Sequence, residues 1–280
     1  MEYTNEMIDI TYLKENDLLK YFTGEEQENI NKKYKYTDVY FGNNSFYREK
    51  NPDKKFIPYP IDVGDLINLH KTILKRKIFT IMEFGLGYST IIMADALLKH
   101  KKTYDSLKKK PFIRVHNKFE IHCIDTSKYW TEQFKKKLEK FPDIQKVIKI
   151  IITDVHIGKF NDRLCHYYDN LPTINPQLIY IDGPDPKDVK KTNGFNFNNP
   201  DITAMLGDVL FLEPILIPGT FIIVDGRKNN AYFLKNNFQR NWKISFNSNI
   251  DITTFELQDP TLGEYNTNML KYCNINIIKK

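Results

Sequence analysis

Glu83-Phe84-Gly85-Leu86-Gly87-Tyr88-Ser89-Thr90 sets one carboxylate, two glycines and two aliphatic hydroxyls between an apolar run (Ile78, Phe79, Ile81, Met82) and a helix-like run (Ile91, Ile92, Met93, Ala94, Ala96, Leu97, Leu98). This order predicts strand, glycine turn, helix. Glycines let the backbone bend sharply and admit a ligand closely, and the first turn of the following helix offers N–H groups with no partner of their own. The expected chemistry is nucleotide binding. A dinucleotide fingerprint would carry a third glycine where Thr90 stands. Glu83 just before the turn would repel a pyrophosphate and attract a cationic amino group.

Four aspartates recur at one kind of place. Asp125 follows the apolar run 119–124, Asp154 follows 147–152, Asp182 follows 178–181 and Asp225 follows 220–224. Each run is β-prone, and the intervening segments are helical or loop-like, as expected of βα units and a parallel sheet. In such sheets ligands bind outside the carboxyl ends of the strands, so residues at those ends converge on one crevice. A lone aspartate there can equally cap the next helix; four together point to a site.

Beyond the fifth run lie a helix-like stretch, 231–238, and two more strand candidates, 242–246 and 253–257. These two are too close for a helical crossover, which predicts antiparallel pairing at the sheet edge. Residues 1–65 read as an N-terminal cap segment rich in tyrosine and charge, with Asp62 capping a helix that leads into the first strand. The rest, 66–280, reads as one α/β domain. The long polar loop 187–200 has the length of a lid.

The motif E-F-G-x-G-x-S-T resembles the first motif of class I S-adenosylmethionine (SAM)-dependent methyltransferases, and the count of seven strands is similar to theirs. The resemblance spans roughly 66–257 and implies a Rossmann-like, mostly parallel sheet with helices on both faces and an antiparallel last strand. It places SAM on Glu83, Gly85, Gly87, Ser89 and Thr90, its ribose at Asp125 and Thr126, and its adenine near Asp154. Asp125 can accept hydrogen bonds from both ribose hydroxyls.

Methyl transfer from a sulfonium is an in-line displacement, so the protein chiefly has to position a nucleophile about 3 Å from the methyl carbon. A hydroxyl acceptor also needs a base or a metal. The candidates are Asp182, Asp225 and Arg227. In the metal-dependent O-methyltransferases of this class an aspartate after the fourth strand and an Asp-Asn pair after the fifth hold magnesium. Asp182 and Asp225 match two of these places as tentative Mg2+ ligands, but Gly226 stands where the asparagine would be. Without a metal, Asp182 is the general-base candidate and Arg227 a clamp for an anionic or polyhydroxylated acceptor.

The resemblance leads to methyl transfer onto a hydroxyl of a small-molecule or glycan acceptor. Three other readings compete. Asp182-Gly183-Pro184-Asp185-Pro186 is similar to the D-x-x-D-P stretch of aminopropyltransferases of the spermidine synthase type, whose first motif is richer in glycine. A nucleic-acid methyltransferase would carry an aromatic after the fourth strand to stack on a flipped base; none stands there. A non-catalytic methyltransferase-like subunit would not need intact acidic strand ends.

The chain's 280 residues carry a net charge of +6, 41% hydrophobic and 27% charged residues, ordinary for a globular protein. Six of its 41 basic residues are arginine; the lysine excess, together with abundant asparagine and isoleucine, fits an A+T-rich coding sequence as well as an anionic partner. The basic run within 99–118 reads as a solvated face. Cys123, Cys165 and Cys273 lack the spacing of a disulfide framework or a zinc site. No apolar run reaches the roughly 18 residues of a membrane span, and no secretory signal is visible at Met1, so the expected location is cytoplasmic.

Overall fold

A computed structural model describes residues 9–31, 62–190, 194–196, 199, 202, 205–248 and 250–277. The chain divides into two compact units, Met1–Thr72 and Ile73–Lys280. In the first, helices α1 (Ile10–Glu15) and α2 (Gly24–Asn31) precede α3 (Val63–Arg76), which continues into the second unit. Asp9 accepts the Tyr12 N–H at 3.0 Å and starts α1. Asp62 accepts from the N–H groups of Gly64 and Asp65, the cap expected for α3. His70 Nδ1 meets the Tyr12 hydroxyl at 2.6 Å. The extended stretch expected at 56–60 lies outside the described residues.

The second unit is built on strands β1 (Thr80–Phe84), β2 (Glu120–Asp125), β3 (Ile148–Ile152), β6 (Leu178–Ile181), β7 (Phe221–Asp225), β8 (Trp242–Asn247) and β9 (Ile252–Leu257). They form one sheet in the order β3-β2-β1-β6-β7-β9-β8. Pairings from β3 through β7 are parallel, and β9 runs antiparallel between β7 and β8. All five residues of β1 and all four of β6 are buried, as for central strands covered on both faces. β8 forms the edge and is exposed from Lys243 to Asn247. The expected fold class, a seven-stranded mostly parallel sheet with an antiparallel last strand, is the one observed.

Helices α4 (Tyr88–Asp105), α5 (Lys128–Leu138), α6 (Pro142–Val147), α7 (Asp208–Leu212), α8 (Lys228–Asn237) and α9 (Gly263–Tyr272) complete the unit. None of the helices among the described residues is long and apolar enough to cross a membrane.

The sequence reading did not foresee the hairpin of β4 (Val155–Phe160) and β5 (Arg163–Tyr168), which stands between β3 and β6 as a separate two-stranded sheet. Its turn residues Asn161 and Asp162 have φ of 49° and 59°. Two consecutive positive φ values make the tight turn that fits strand twist, and Asn and Asp tolerate them.

The basic run is held to the fold from within. Leu107, Ile113 and Val115 pack on a cluster formed by Phe79, Tyr104, Phe119, Met269 and Cys273. Lys110 and Lys118 lie over the Tyr104 ring and Lys101 over Phe119, while Lys99 pairs with Asp95. His100 is buried there, between the Ile78 carbonyl and the Tyr272 hydroxyl.

Candidate functional site

Sheet order reverses between β1 and β6, and the crevice opens at that point over the carboxyl ends of the strands. Gly85 holds a φ of +128°, in the region that favours glycine. The chain leaving β6 passes directly against the turn: Asp182 N donates to the Phe84 carbonyl at 3.1 Å. A Cβ on Gly183 would lie 3.0 Å from that carbonyl oxygen, so glycine permits the approach.

Glu83 is fully buried beneath the turn. Its carboxylate accepts from Ser89 Oγ at 2.5 Å, Thr90 Oγ1 at 2.7 Å and Cys123 Sγ at 3.2 Å. Thr90 Oγ1 in turn accepts the Gly87 N–H at 3.0 Å. Glu83 therefore fixes the turn to the start of α4 through two side chains of that helix. Burial pushes its pKa up to about 7 against the pull of the three donors.

Asp125 is half-buried at the end of β2 and accepts the Ser127 N–H at 2.7 Å. Desolvation raises its pKa to about 6, with nearby Asp188 adding to the rise. Beside it a polar cavity of about 270 Å³ is lined by Thr126, Lys128, Ile152, Thr153, Asp154, Asp169 and Asn170. Asp154 is exposed and paired with Lys190, which holds its carboxyl below the ordinary range. His156 is tied to Asp169 at 2.7 Å.

On the other side of the reversal, Asp182 is exposed at the end of β6, yet protein crowds around its carboxyl. That desolvation raises its pKa, Arg227 opposes the rise and Asp225 adds to it. Arg227 donates to the carbonyls of Asp182 and Pro184. The Tyr180 hydroxyl donates to Asp225.

These residues do not fit a magnesium ion. Two carboxylates stand beside a fixed guanidinium, one already accepts a hydrogen bond, and Gly226 supplies no side-chain oxygen. Asn230, one of two amides further along the chain, turns its oxygen to the Leu206 N–H at 2.9 Å. Among the described residues no three His, Cys, Asp or Glu side chains gather to hold an ion. The tentative Mg2+ assignment to Asp182 and Asp225 is accordingly dropped.

Several buried polar groups close to Arg227 went unnoticed in the sequence. His166 on β5 has neither ring nitrogen paired, and the Tyr168 hydroxyl and Asn230 Nδ2 have no partner. Burial, with Arg227 nearby, lowers the His166 pKa to about 3 and keeps the ring neutral. Asp208 receives the Tyr168 N–H at 3.2 Å, and burial raises its pKa to about 7. Strand alternation puts His166 and Tyr168 on one face of β5, a signal that becomes readable only once the hairpin is recognised.

No protein-family model and no curated protein matches the sequence. Among solved structures the chain is similar to a methyltransferase of Podospora anserina bound to S-adenosylhomocysteine (SAH), with 13% identity over 77% of this chain and 86% of that one and a TM-score of 0.43. It is also similar to an O-methyltransferase of Bacillus cereus in complex with SAH, at 14% identity, 85% and 99% coverage and a TM-score of 0.42. A Streptomyces achromogenes O-methyltransferase involved in tomaymycin synthesis, solved with SAM, gives 13%, 84% and 99%, and 0.42.

Proposed function

We propose that the chain transfers a methyl group from SAM to a hydroxyl of a small-molecule or glycan acceptor. The observation that carries this reading is the reversal of strand order at β1 and β6, where the glycine turn lies between Asp125 on one side and Asp182 on the other. Gly85 and Gly87 give the methionyl part of the donor close access to the backbone. Asp125 and Thr126 meet the ribose, and the polar cavity at Thr153 and Asp154 takes the base. Glu83 acts through Ser89 and Thr90, whose positions it fixes.

The acceptor oxygen attacks the methyl carbon, the carbon–sulfur bond breaks, and its electron pair stays on sulfur. The acceptor proton passes to the Asp182 carboxylate, whose raised pKa suits it to take a proton near neutral pH. Arg227 holds the backbone on either side of Gly183 and presents a cation beside the base. Asp225, held by Tyr180, orients the same corner.

Isothermal calorimetry tests the donor site. SAH is expected to bind at a one-to-one ratio, and NAD and FAD are expected not to. Absence of SAH binding, or binding of a nicotinamide or flavin compound instead, would overturn the reading. Detection of SAH against methylthioadenosine as product, over a hydroxyl-acceptor panel, separates methyl transfer from aminopropyl transfer.

A further inference from the structure

The segment from Asp182 to Lys190 leaves β6 and does not turn back along its own helix. It passes the glycine turn at Gly183, forms a short 3-10 turn at Pro186–Asp188 and arrives at the start of β4. There Lys190 N donates to the Val155 carbonyl at 2.9 Å, and Lys190 pairs as a bridge with His156. β1 and β2 lie between β6 and β3, so this strap crosses the carboxyl ends of both. Those ends are the groove in which the donor is proposed to lie.

Two side-chain latches fasten the strap. Thr126 Oγ1 donates to Asp188 Oδ2 at 2.8 Å, and the Lys190 ammonium pairs with the Asp154 carboxylate. Thr126 and Asp154 are the groups expected to meet the donor's sugar and base. A ligand there must share them with the strap or displace it. A second observation lies beneath: the Tyr168 hydroxyl is buried without a partner, within electrostatic reach of Asp125 and Asp188. A buried hydroxyl left unpaired favours a state in which it is paired.

From this geometry we infer that the strap is a gate of the donor site, held closed by Asp188 and Lys190 acting on the donor's own contacts. The inference rests on the methyltransferase reading. Val189, buried in the core with Val155, anchors one end of the strap, and Arg227 holds Pro184 at the other, so opening is a swing of 185–188 between these two points and not release of the whole segment. The gate slows entry and exit of the nucleoside and weakens apparent affinity, because closed molecules cannot bind until the latches part.

Stopped-flow mixing with SAH, followed by the fluorescence of Trp130 near Asp125, tests the gate. The wild-type chain is titrated first; failure to bind SAH there overturns the function reading and is seen before any variant is made. Given binding, the double variant Asp188→Ala with Lys190→Ala is expected to associate at least 3-fold faster. Association less than 3-fold faster than wild type, or slower, overturns the gate and leaves the strap as a fixed wall. The converse test uses Thr126→Cys with Asp188→Cys, joined by a short bifunctional thiol reagent. The joined form is expected to bind SAH at least 10-fold more slowly than the same variant left unjoined, and equal rates overturn the gate. Cys123, Cys165 and Cys273 are buried, which directs the reagent to the new pair.

Discussion

The two walls of the crevice satisfy their polar groups in opposite ways. On the glycine-turn wall both oxygens of Glu83 are taken by Ser89, Thr90 and Cys123, and Thr90 passes the order on to Gly87. On the hairpin wall both nitrogens of His166 and the hydroxyl of Tyr168 are buried and unpaired, as is the amide nitrogen of Asn230 on α8. A saturated network is rigid and suits a part of the ligand that never changes, whereas unpaired groups are costly where they stand and have something to gain from rearrangement. On the proposed reading the saturated wall holds the methionyl end of the donor, and the unpaired groups lie on the side where the strap is inferred to move.

The sharpest break of that comparison is at its hinge. Asp182→Asn, which keeps the shape and removes the base, is expected to lower kcat by about 10²- to 10⁴-fold. SAH affinity should stay within about 3-fold, since the glycine-turn wall is untouched. Equal losses in both would mean that Asp182 serves binding and not proton transfer.

Next comes Glu83→Ala, which strips three donors of their acceptor. It is expected to destabilise the fold by about 2–4 kcal/mol in urea denaturation. The same residue predicts a pH trend. Its folded pKa, about 7, lies above the ordinary 4.5, so the folded state binds the proton more tightly than the unfolded state. Its contribution is fully present below pH 4.5 and is lost as pH rises through 7, on the order of 2 kcal/mol between pH 5 and 7. Measured over that interval, the decline should be flatter in the variant than in the wild type.

A smaller effect is expected from Gly183→Ala. The added methyl meets the Phe84 carbonyl, and the backbone shift should weaken SAH binding by about 1–3 kcal/mol. The smallest is His166→Leu. Because the ring has no partner to lose, its replacement is expected to be neutral or slightly stabilising, within about 0.5 kcal/mol, and a large loss would show that the hairpin wall is as saturated as the other.

How much of this was legible in the sequence follows the same division. The strand–glycine–helix unit and the acidic strand ends were visible because each depends on a local pattern, a run of apolar residues closed by glycine or aspartate. The antiparallel late strands were visible because the connection between 246 and 253 is too short for a crossover. The hairpin was not, although Val155, Ile157 and the Asn161-Asp162 turn carried its alternation. Its strand β5, Arg163-Leu164-Cys165-His166-Tyr167-Tyr168, mixes polar and apolar on one face and so lacks a clean period. The saturation of Glu83 was also hidden, since it needs Cys123 from the neighbouring strand. The strap could not be read either, because its partners Thr126, Asp154 and Val155 are fixed by sheet order and not by spacing along the chain. Of the lid expected at 187–200, residues 191–193, 197–198 and 200 lie outside the described residues.

The lysines that rest on Tyr104 and Phe119 carry a last consequence. An ammonium seated on a ring face is attracted by a quadrupole, an interaction less easily screened by added electrolyte than a pair of surface ions. Part of the chain's positive balance is thereby mortar for its own aromatic masonry, and a brine that would strip a polyanion from a basic patch should leave this corner standing.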